Sequence, residues 1–381
     1  MSDSLRIAIV TPAIVRGDGQ GRVNYEIARR AADAGHHVTV VTNRVDPDIA
    51  SHERIRVVMW NLRRIPSSLL RSQAAQILVG RWLKKHRSQF DIVHVNGSFS
   101  LAASDVNTSH FVHTAWLKSS VHTSRLRTGL AALYYRLLTT LHASQEVIAY
   151  RRASTVVAVS NQVRREIAAL GIDSHRIEVI HNGVDVDEFV PGPAQREKLG
   201  LPPDAFLIMF AGDMKTPRKN LDSVLKAIVD LPSVHVIAVG SLDKNPYPAM
   251  ARDLEIVSRV HFLGFRRDVA AIMQSVDAFV FPSRYEACSL VLLEALASGL
   301  PVITAATAGG SEIVAEAGGA VLDDPERVDL LAAEIRKLMD PAGRATELRE
   351  ASRRTALRYS WDAMVTKYLE VYQNAVSKHP G

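Results

Sequence analysis

The segment 278–304 constrains the fold more than any other part of the chain. Ala278–Phe281 is an apolar run that stops at Pro282, which is typical of a buried strand. A helical pattern follows from Ser289, a favoured N-cap residue, and ends at Gly299. The apolar residues 301–303 then begin another strand. A strand, a helix and a second strand in this order predict an α/β fold.

Two carboxylates flank the start of this helix. Glu286 lies in the turn after the first strand, and therefore at the carboxyl edge of the sheet. Glu294 lies inside the otherwise apolar helix, where a carboxylate is costly unless another group satisfies it. An arginine or a backbone amide could do this without any ligand. Two carboxylates around one helix N-terminus favour a binding site instead, because that terminus attracts anions.

The same alternation opens the chain. Leu5–Thr11 reads as a strand, and a helix from about Gln20 to Ala34 and a strand at His37–Thr42 follow it. Between the first strand and the helix lies a loop with glycines at 17, 19 and 21. This spacing is not the dinucleotide fingerprint G-x-G-x-x-G, and no acidic residue ends the second strand. Gly19 and Gly21 therefore predict close backbone approach to another ligand, with an unliganded mobile loop as the alternative.

A proline-rich connection at 191–203 supports a domain boundary near residue 186. With 381 residues, 47% of them hydrophobic, the chain can build two cores. Its single cysteine, Cys288, excludes an internal disulfide framework. The sequence has no signal-peptide pattern and no apolar stretch long enough to span a bilayer, so we expect a cytoplasmic protein.

The positive charge is concentrated in one half. Residues 1–190 hold 24 Lys and Arg against 16 Asp and Glu, whereas the remainder holds 22 against 24. A basic amphipathic helix is predicted over 69–89. This half could meet an anionic acceptor or lie peripherally on the inner face of the membrane, although most such helices are ordinary surface helices. Nucleic acid is disfavoured, because no recognised binding motif is present.

The two glutamates are separated by seven residues and followed by Ala-Leu-Ala-Ser-Gly-Leu-Pro-Val, and they resemble the E-x7-E signature of the retaining glycosyltransferases of family 4. The resemblance implies the GT-B fold, with two Rossmann-like doubly wound domains facing each other across a cleft. On this basis residues 1–185 form the acceptor-side domain and 186–357 the nucleotide-sugar domain, while a helix in 358–381 packs back on the first. The donor would be a nucleoside diphosphate sugar, UDP or GDP, with no cofactor and no metal.

The resemblance also implies roles for residues of the second half. Glu286 would face the donor sugar and Glu294 the ribose hydroxyls, with the backbone amides of Cys288, Ser289 and Leu290 towards the sugar and diphosphate. Lys219 matches the family's lysine. The chain departs from the family at Asp213, where an arginine is usual, so Lys215 or Arg218 would supply the second cation. It departs again at 287–289, where Ala-Cys-Ser replaces Gly-Phe-Gly and alters the sugar pocket.

The remaining implied contacts are spread along the chain. His113, in a stretch read as a strand, would lie beside the donor sugar and the acceptor, with His110 as a neighbour. The glycine loop would approach the donor diphosphate and the acceptor. The segment with Phe265 and Arg266 would hold the base. The two histidines do not predict a metal site, because no carboxylate lies near them in the sequence.

Three functional readings remain open at this point. The first is a retaining transferase acting on a glycan, a lipid-linked glycan or a small molecule. The second is a nucleotide-sugar epimerase of the same architecture, which would need no acceptor. The third is a nucleotide-sugar-binding or assembly protein with a degraded site, which the two departures from the family pattern favour. A dehydrogenase is disfavoured by the missing fingerprint.

Overall fold

The computed structural model describes residues 4–60, 62, 65, 67–340 and 345–377. The chain divides into two compact units, Met1–Asn182 with Trp361–Gly381, and Gly183–Ser360. Each unit is built on one parallel β-sheet with helices in its connections, which is the α/β architecture that the sequence predicts.

The first unit contains a seven-stranded sheet in the order β3-β2-β1-β4-β5-β6-β7. Its strands are β1 (Arg6–Val10), β2 (His37–Thr42), β3 (Ile55–Met59), β4 (Ile92–Asn96), β5 (Ser104–Ser109), β6 (Ala153–Ala158) and β7 (Ile177–Val179). Its helices are α1 (Gly19–Asp33), α2 (Pro47–Ala50), α3 (Ser68–His86), α4 (His113–Lys118), α5 (Gly129–Arg151), α6 (Asn161–Ala168) and α14 (Trp361–Ser377). The strand order reverses direction between β1 and β4, which creates a crevice at their carboxyl ends.

The second unit contains a six-stranded sheet in the order β10-β9-β8-β11-β12-β13. Its strands are β8 (Phe206–Ala211), β9 (Val234–Val239), β10 (Val260–Gly264), β11 (Ala278–Phe281), β12 (Val302–Ala305) and β13 (Ala320–Leu322). Its helices are α7 (Leu221–Ala227), α8 (Tyr247–Asp253), α9 (Val269–Gln274), α10 (Leu290–Ala297), α11 (Ser311–Glu316), α12 (Val328–Leu338) and α13 (Ala345–Ala356). Here the strand order reverses between β8 and β11.

The last helix belongs to the first unit. Met364, Tyr368 and Tyr372 of α14 are buried, and the Tyr372 hydroxyl lies 2.7 Å from Nδ1 of His94 in β4. Near its start, Asp362 accepts a hydrogen bond from Arg30 of α1 at 2.6 Å. The C-terminal helix therefore completes the core of the N-terminal sheet.

Several local predictions are confirmed. The segment after β11 forms α10 with Ser289 at the N-cap position, and α1 differs from its predicted range by one residue at each end. Two predictions need correction. The apolar spacing over 125–152 predicts one long or bent helix that acts as scaffold, but the helix begins only at Gly129, after a 3-10 turn at 123–125. The stretch 108–116 is not one strand, because β5 ends at Ser109 and α4 begins at His113.

None of the described helices has both the length and the apolar character needed to cross a membrane.

Candidate active site

Three of the predicted site residues of the second unit, Arg218, Lys219 and Glu286, meet in the loops that follow β8 and β11. Lys219 follows β8, and Glu286 follows β11. The Nζ atom of Lys219 lies 2.5 Å from Oε1 of Glu286, and Nη1 of Arg218 lies 2.7 Å from the same oxygen. Oε2 of Glu286 makes no hydrogen bond with any described residue. One carboxylate therefore holds two cations through one oxygen, and its other oxygen keeps its capacity to accept hydrogen bonds.

Lys219 is largely enclosed. Burial lowers its pKa, and the neighbouring Arg218 adds to the decrease, while Glu286 acts in the opposite direction. Its ammonium also lies 5.0 Å from the centre of the Phe281 ring, at the end of β11. Lys219 thus reaches the carboxyl edge of the sheet with its charge matched by a carboxylate and an aromatic face.

The loop after β8 is fastened to the loop after β11. Asn220 adopts a left-handed conformation with φ of 66°, which suits asparagine better than most side chains. Its side chain donates to the carbonyl of Pro282 at 2.9 Å, and its Oδ1 accepts from the amide of Ser223. In the opposite direction, Arg284 of the loop after β11 donates hydrogen bonds from its side chain to Asp222 and Glu326. These bonds fix the positions of the two loops that carry Lys219 and Glu286.

Close backbone packing shapes this edge. A Cβ atom on Gly240, directly after β9, would lie 2.0 Å from the carbonyl oxygen of Gly212, directly after β8. Only glycine fits there. The first residues after the two strands therefore lie closer together than side chains would allow.

The segment from Glu286 to Ser289 pairs with the glycine-led start of α11. Glu286 donates its amide to Thr307 and accepts from the amide of Gly309. The Ser289 amide donates to the carbonyl of Gly309 at 3.2 Å. The sequence assigned this amide to the sugar or diphosphate, but in the structure it is already used within the protein. Glu294 is half-buried on α10.

Other predicted cations and base contacts lie apart from Glu286. Lys215 is exposed and pairs with Asp243 at 2.9 Å, so Arg218 is the second cation beside Lys219. Asp213 accepts from the amide of Lys215 at 3.1 Å and therefore orders the turn. Phe265 is 78% exposed just after β10. Arg266 pairs with Asp268 at the surface.

In the first unit, the predicted residues His110 and His113 line a cavity of about 180 Å³ at the reversal between β1 and β4. Its lining includes His110 and His113 together with neutral polar side chains: Gln20, Ser72, Gln76, Asn96, Ser98, His142 and Gln145. Gly19 and Gly21 lie at the start of α1, next to the lining residue Gln20. The cavity therefore offers amide, hydroxyl and imidazole groups for hydrogen bonding.

His113 is held by a buried carboxylate. Glu146 of α5 accepts from the amide of His113 at 2.8 Å and lies 2.9 Å from its Nδ1. The same carboxylate accepts from the amide and the hydroxyl of Thr114. The sequence prediction found no carboxylate near His113. The structure corrects this, because α5 returns Glu146 to the start of α4.

His110 has a different environment. Its Nε2 lies 3.0 Å from Oδ1 of Asn96, which also accepts from the side chain of Asn24. Burial lowers the pKa of His110 to about 4, although Asp18 acts in the opposite direction. His110 is therefore a neutral group within a network that joins α1 to β4.

Comparison with known proteins shows which family the chain belongs to. Residues 17–188 match the family model described as Glycosyltransferase Family 4, and residues 192–355 match the model Glycosyl transferases group 1. The chain belongs to glycosyltransferase family 4. D-inositol 3-phosphate glycosyltransferase of Mycobacterium marinum is 31% identical over 303 residues, and that of Mycobacterium bovis is 31% identical over 308. These matches cover 75% and 76% of this chain but only 64% and 63% of the relatives' length.

Solved structures show the same GT-B fold at low identity. Sucrose-phosphate synthase of Thermosynechococcus elongatus has a TM-score of 0.81 and 20% identity, covering 98% of this chain and 100% of that one. The lipopolysaccharide glycosyltransferase WaaG has a TM-score of 0.76 and 22% identity, covering 96% and 99%. Anabaena HepE, solved with UDP and glucose, has a TM-score of 0.73 and 20% identity, covering 97% and 99%.

Two features of this candidate site were not found from the sequence. Glu146 lies in a helix read as scaffold, and only its position among apolar neighbours could have singled it out. Arg284 lies between the strand and Glu286, but its partners Asp222 and Glu326 are distant in the sequence. Glu146 contacts the predicted residue His113 directly, whereas Arg284 fastens the loop after β11 to Asp222 of α7.

Proposed function

We propose that this chain transfers a sugar from a nucleoside diphosphate sugar to a hydroxyl group of an acceptor, with retention of configuration at the anomeric carbon and without a metal. The observation that supports the proposal most directly is the pair of contacts by which Oε1 of Glu286 holds Lys219 and Arg218 at the carboxyl edge of the second sheet. Membership of glycosyltransferase family 4 supports the same reaction.

Negative charge develops on the leaving diphosphate as the glycosyl bond breaks. Lys219 and Arg218 would stabilise it, together with the N-terminus of α10. A preorganised donor of this kind contributes about 2.7–4 kcal/mol to transition-state stabilisation by analogy with oxyanion holes. This chemistry needs the two cations to remain in place before the donor binds, and the contact with Glu286 meets that need.

Glu286 would position the sugar through Oε2, which can accept a hydrogen bond from a sugar hydroxyl. In the proposed route it does not attack the anomeric carbon. The acceptor oxygen attacks from the face that the diphosphate leaves, and a diphosphate oxygen takes the proton. His113 would contact the sugar or the acceptor from the first unit.

The cavity of the first unit suggests an uncharged hydroxyl-bearing acceptor group. None of the described residues that line it is Lys or Arg, and burial keeps His110 neutral. Amides and imidazoles can donate to and accept from hydroxyls. A phosphate such as the one named for the mycobacterial relatives would need cations from elsewhere.

UDP is the first nucleotide to test, because the HepE structures contain UDP, UDP with glucose, or UDP-glucose. Thermal unfolding would be followed with UDP, GDP, ADP, their sugar conjugates and NAD. A ligand at about 100 times its dissociation constant stabilises a protein by about 2.7 kcal/mol. We expect a shift with one nucleoside diphosphate and its sugar. A shift with NAD alone would contradict the proposal.

Two variants assign the roles. Glu294→Ala should abolish nucleotide binding, whereas Glu286→Ala should keep it and lose turnover. Normal sugar transfer by both would refute the site assignment. Proton NMR of the product reports whether the anomeric configuration is retained, and assays with and without EDTA test the metal independence.

A binding protein without turnover is the second candidate. Asp213 stands where the family has an arginine, and the Ser289 amide is already bonded to Gly309. Such a protein would give the nucleotide shift but form no product with any acceptor in a broad panel. An epimerase would instead convert the donor sugar with no acceptor present.

A further inference from the structure

A row of leucines on α5 has no apolar partner in the described structure that buries it. Leu130, Leu133 and Leu137 are 85%, 53% and 60% exposed. Their spacing of three and four residues puts them on one side of the helix. We call these three residues the leucine face. Contiguous exposed apolar surface of this kind marks an interaction site more often than scattered single residues do.

The two halves of α5 differ. In the second half, side chains such as Ala143, Glu146 and Tyr150 are buried in the first unit. The leucine face lies in the first half, where most residues are exposed. From its sequence the whole helix is expected to be scaffold, but only its second half packs against the first unit.

Only cations accompany the leucine face in the sequence. Arg125, Arg127 and Arg136 are exposed, and no Asp or Glu occurs between residues 106 and 145. Helix α3 lies alongside, with Oγ of Ser68 2.7 Å from the hydroxyl of Tyr134. The segment 54–90 that contains α3 has nine Lys and Arg and no Asp or Glu.

An apolar row bordered by arginines matches an anionic lipid surface. The leucines can enter the region between headgroups and acyl chains, while the arginines stay at the level of the phosphates. A second copy of this chain fits less well, because its leucine face would bring arginines against arginines.

We propose that the leucine face docks this protein on anionic membranes. The contact differs from the one that the basic helix over residues 69–89 offered as one possibility, beside that of an ordinary surface helix. In the structure Val79 and Leu83 of α3 are buried against β-strand residues such as Val93, so part of the apolar side of that helix packs in the core, while Leu70 and Ile77 are exposed. The leucine face of α5 remains free for the bilayer.

The first experiment is co-sedimentation of the full chain with vesicles of phosphatidylglycerol and phosphatidylcholine, or of phosphatidylcholine alone. We expect binding to the anionic vesicles only. Leu130→Ser/Leu133→Ser/Leu137→Ser should weaken it on the order of 100-fold, given the apolar area that three leucines bury. The matched control is Val257→Ser/Leu330→Ser/Leu357→Ser, three exposed apolar residues of the second unit, which should bind as the unchanged protein does.

A second variant tests the charges. Arg125→Gln/Arg127→Gln/Arg136→Gln should weaken binding to the anionic vesicles on the order of 100-fold, because each basic residue near such a surface contributes about a factor of five. Raising the salt concentration should weaken binding of the unchanged protein as well. All substituted residues are exposed, and circular dichroism of each variant checks that it folds.

Three results would overturn the proposal. The first is equal binding to neutral and anionic vesicles, or none to either. The second is unchanged binding by the leucine variant. The third is a dimer in solution that the leucine variant dissociates, with no vesicle binding, which would make the face a contact between two copies. The vesicles contain neither nucleotide nor acceptor, so the outcome does not depend on the proposed transferase activity.

Discussion

Glu146 holds His113 through both its backbone and its side chain. The carboxylate accepts from the amide of His113 at 2.8 Å and lies 2.9 Å from its Nδ1, while the amide and hydroxyl of Thr114 bond to its other oxygen. Since a carboxylate accepts hydrogen bonds, this arrangement puts the hydrogen of His113 on Nδ1. Its Nε2 is then the atom that can accept from a hydroxyl of the ligand.

Glu146→Gln should therefore impair turnover. The carboxylate of Glu146 accepts hydrogen bonds from His113 and Thr114, whereas the amide nitrogen of a glutamine cannot accept them. One of these donors would therefore be left without an acceptor, and His113 would lose its fixed orientation. We expect kcat to fall on the order of 100-fold, because a small displacement of a positioned group can reduce the rate by about this factor. The free energy of unfolding should fall by about 1–3 kcal/mol for the unsatisfied buried donor. Steady-state kinetics and urea unfolding measure the two effects.

Thr114→Ala provides the control for this variant. It removes one hydroxyl bond to the same carboxylate but leaves both contacts of His113. We expect nearly unchanged kcat and a smaller loss of stability, about 1 kcal/mol. If Glu146→Gln kept full activity, Glu146 would be a structural cap of α4 without influence on the reaction.

Much of the fold could be predicted from the sequence because it rests on local patterns. The apolar runs 278–281 and 301–303 alone predict strands, which the structure has at Ala278–Phe281 and Val302–Ala305. The N-cap residue and the terminal glycine predict the helix between them. The prediction of a strand around His113 was wrong for a physical reason. Its helix N-terminus is satisfied by Glu146 from another helix, and no local signal reports such a partner.

The site was predictable in part for the same reason. Glu286 and Lys219 lie at ends of strands, where chain order alone places them at one edge of a parallel sheet. Which of Lys215 and Arg218 accompanies Lys219 could not be read from the sequence. That choice depends on Asp243, which follows β9 and forms an ion pair with Lys215, so that Lys215 lies apart from Glu286.

The contact between Lys219 and Glu286 should show measurable energetic coupling. Both side chains are mostly enclosed, so their interaction is screened less than that of surface pairs. A double-mutant cycle with Lys219→Met and Glu286→Gln should give a coupling free energy of about 1–3 kcal/mol in urea unfolding. The matched cycle is Lys215→Met with Asp243→Asn. That pair is exposed, so its coupling should stay below about 1 kcal/mol. Equal values for the two cycles would contradict the enclosed geometry.

The stability of the protein should fall in mild acid because of His94. Burial lowers the pKa of His94 to about 3, with nearby His110 adding to the decrease, and both ring nitrogens are hydrogen bonded. Between pH 6.5 and 3 the unfolded chain binds this proton and the folded chain does not. The free energy of unfolding therefore decreases as the pH falls, by at most about 1.4 kcal/mol per pH unit for this group.

The measurement is urea unfolding at pH 7, 6 and 5 of the unchanged protein and of His94→Gln. The variant loses the titrating group, so its stability should depend less on pH, whatever its absolute stability. The difference between the two slopes isolates His94, because the other groups titrate in both proteins. Parallel slopes would show that His94 takes up a proton in the folded state as readily as in the unfolded one.

Gly21 and Gly19 form a matched pair at the start of α1. A Cβ atom on Gly21 would lie 2.9 Å from the carbonyl oxygen of Val15, whereas one on Gly19 would meet nothing within 4 Å. Gly21→Ala should therefore displace the loop before α1 and lower the free energy of unfolding by about 1–3 kcal/mol. It should also weaken the binding of any ligand that contacts this loop. Gly19→Ala should be neutral or stabilise by up to about 1 kcal/mol, because alanine is the better helix former. Thermal unfolding of both variants decides between this steric account and a general need for glycine in the loop, which would make the two substitutions equally harmful.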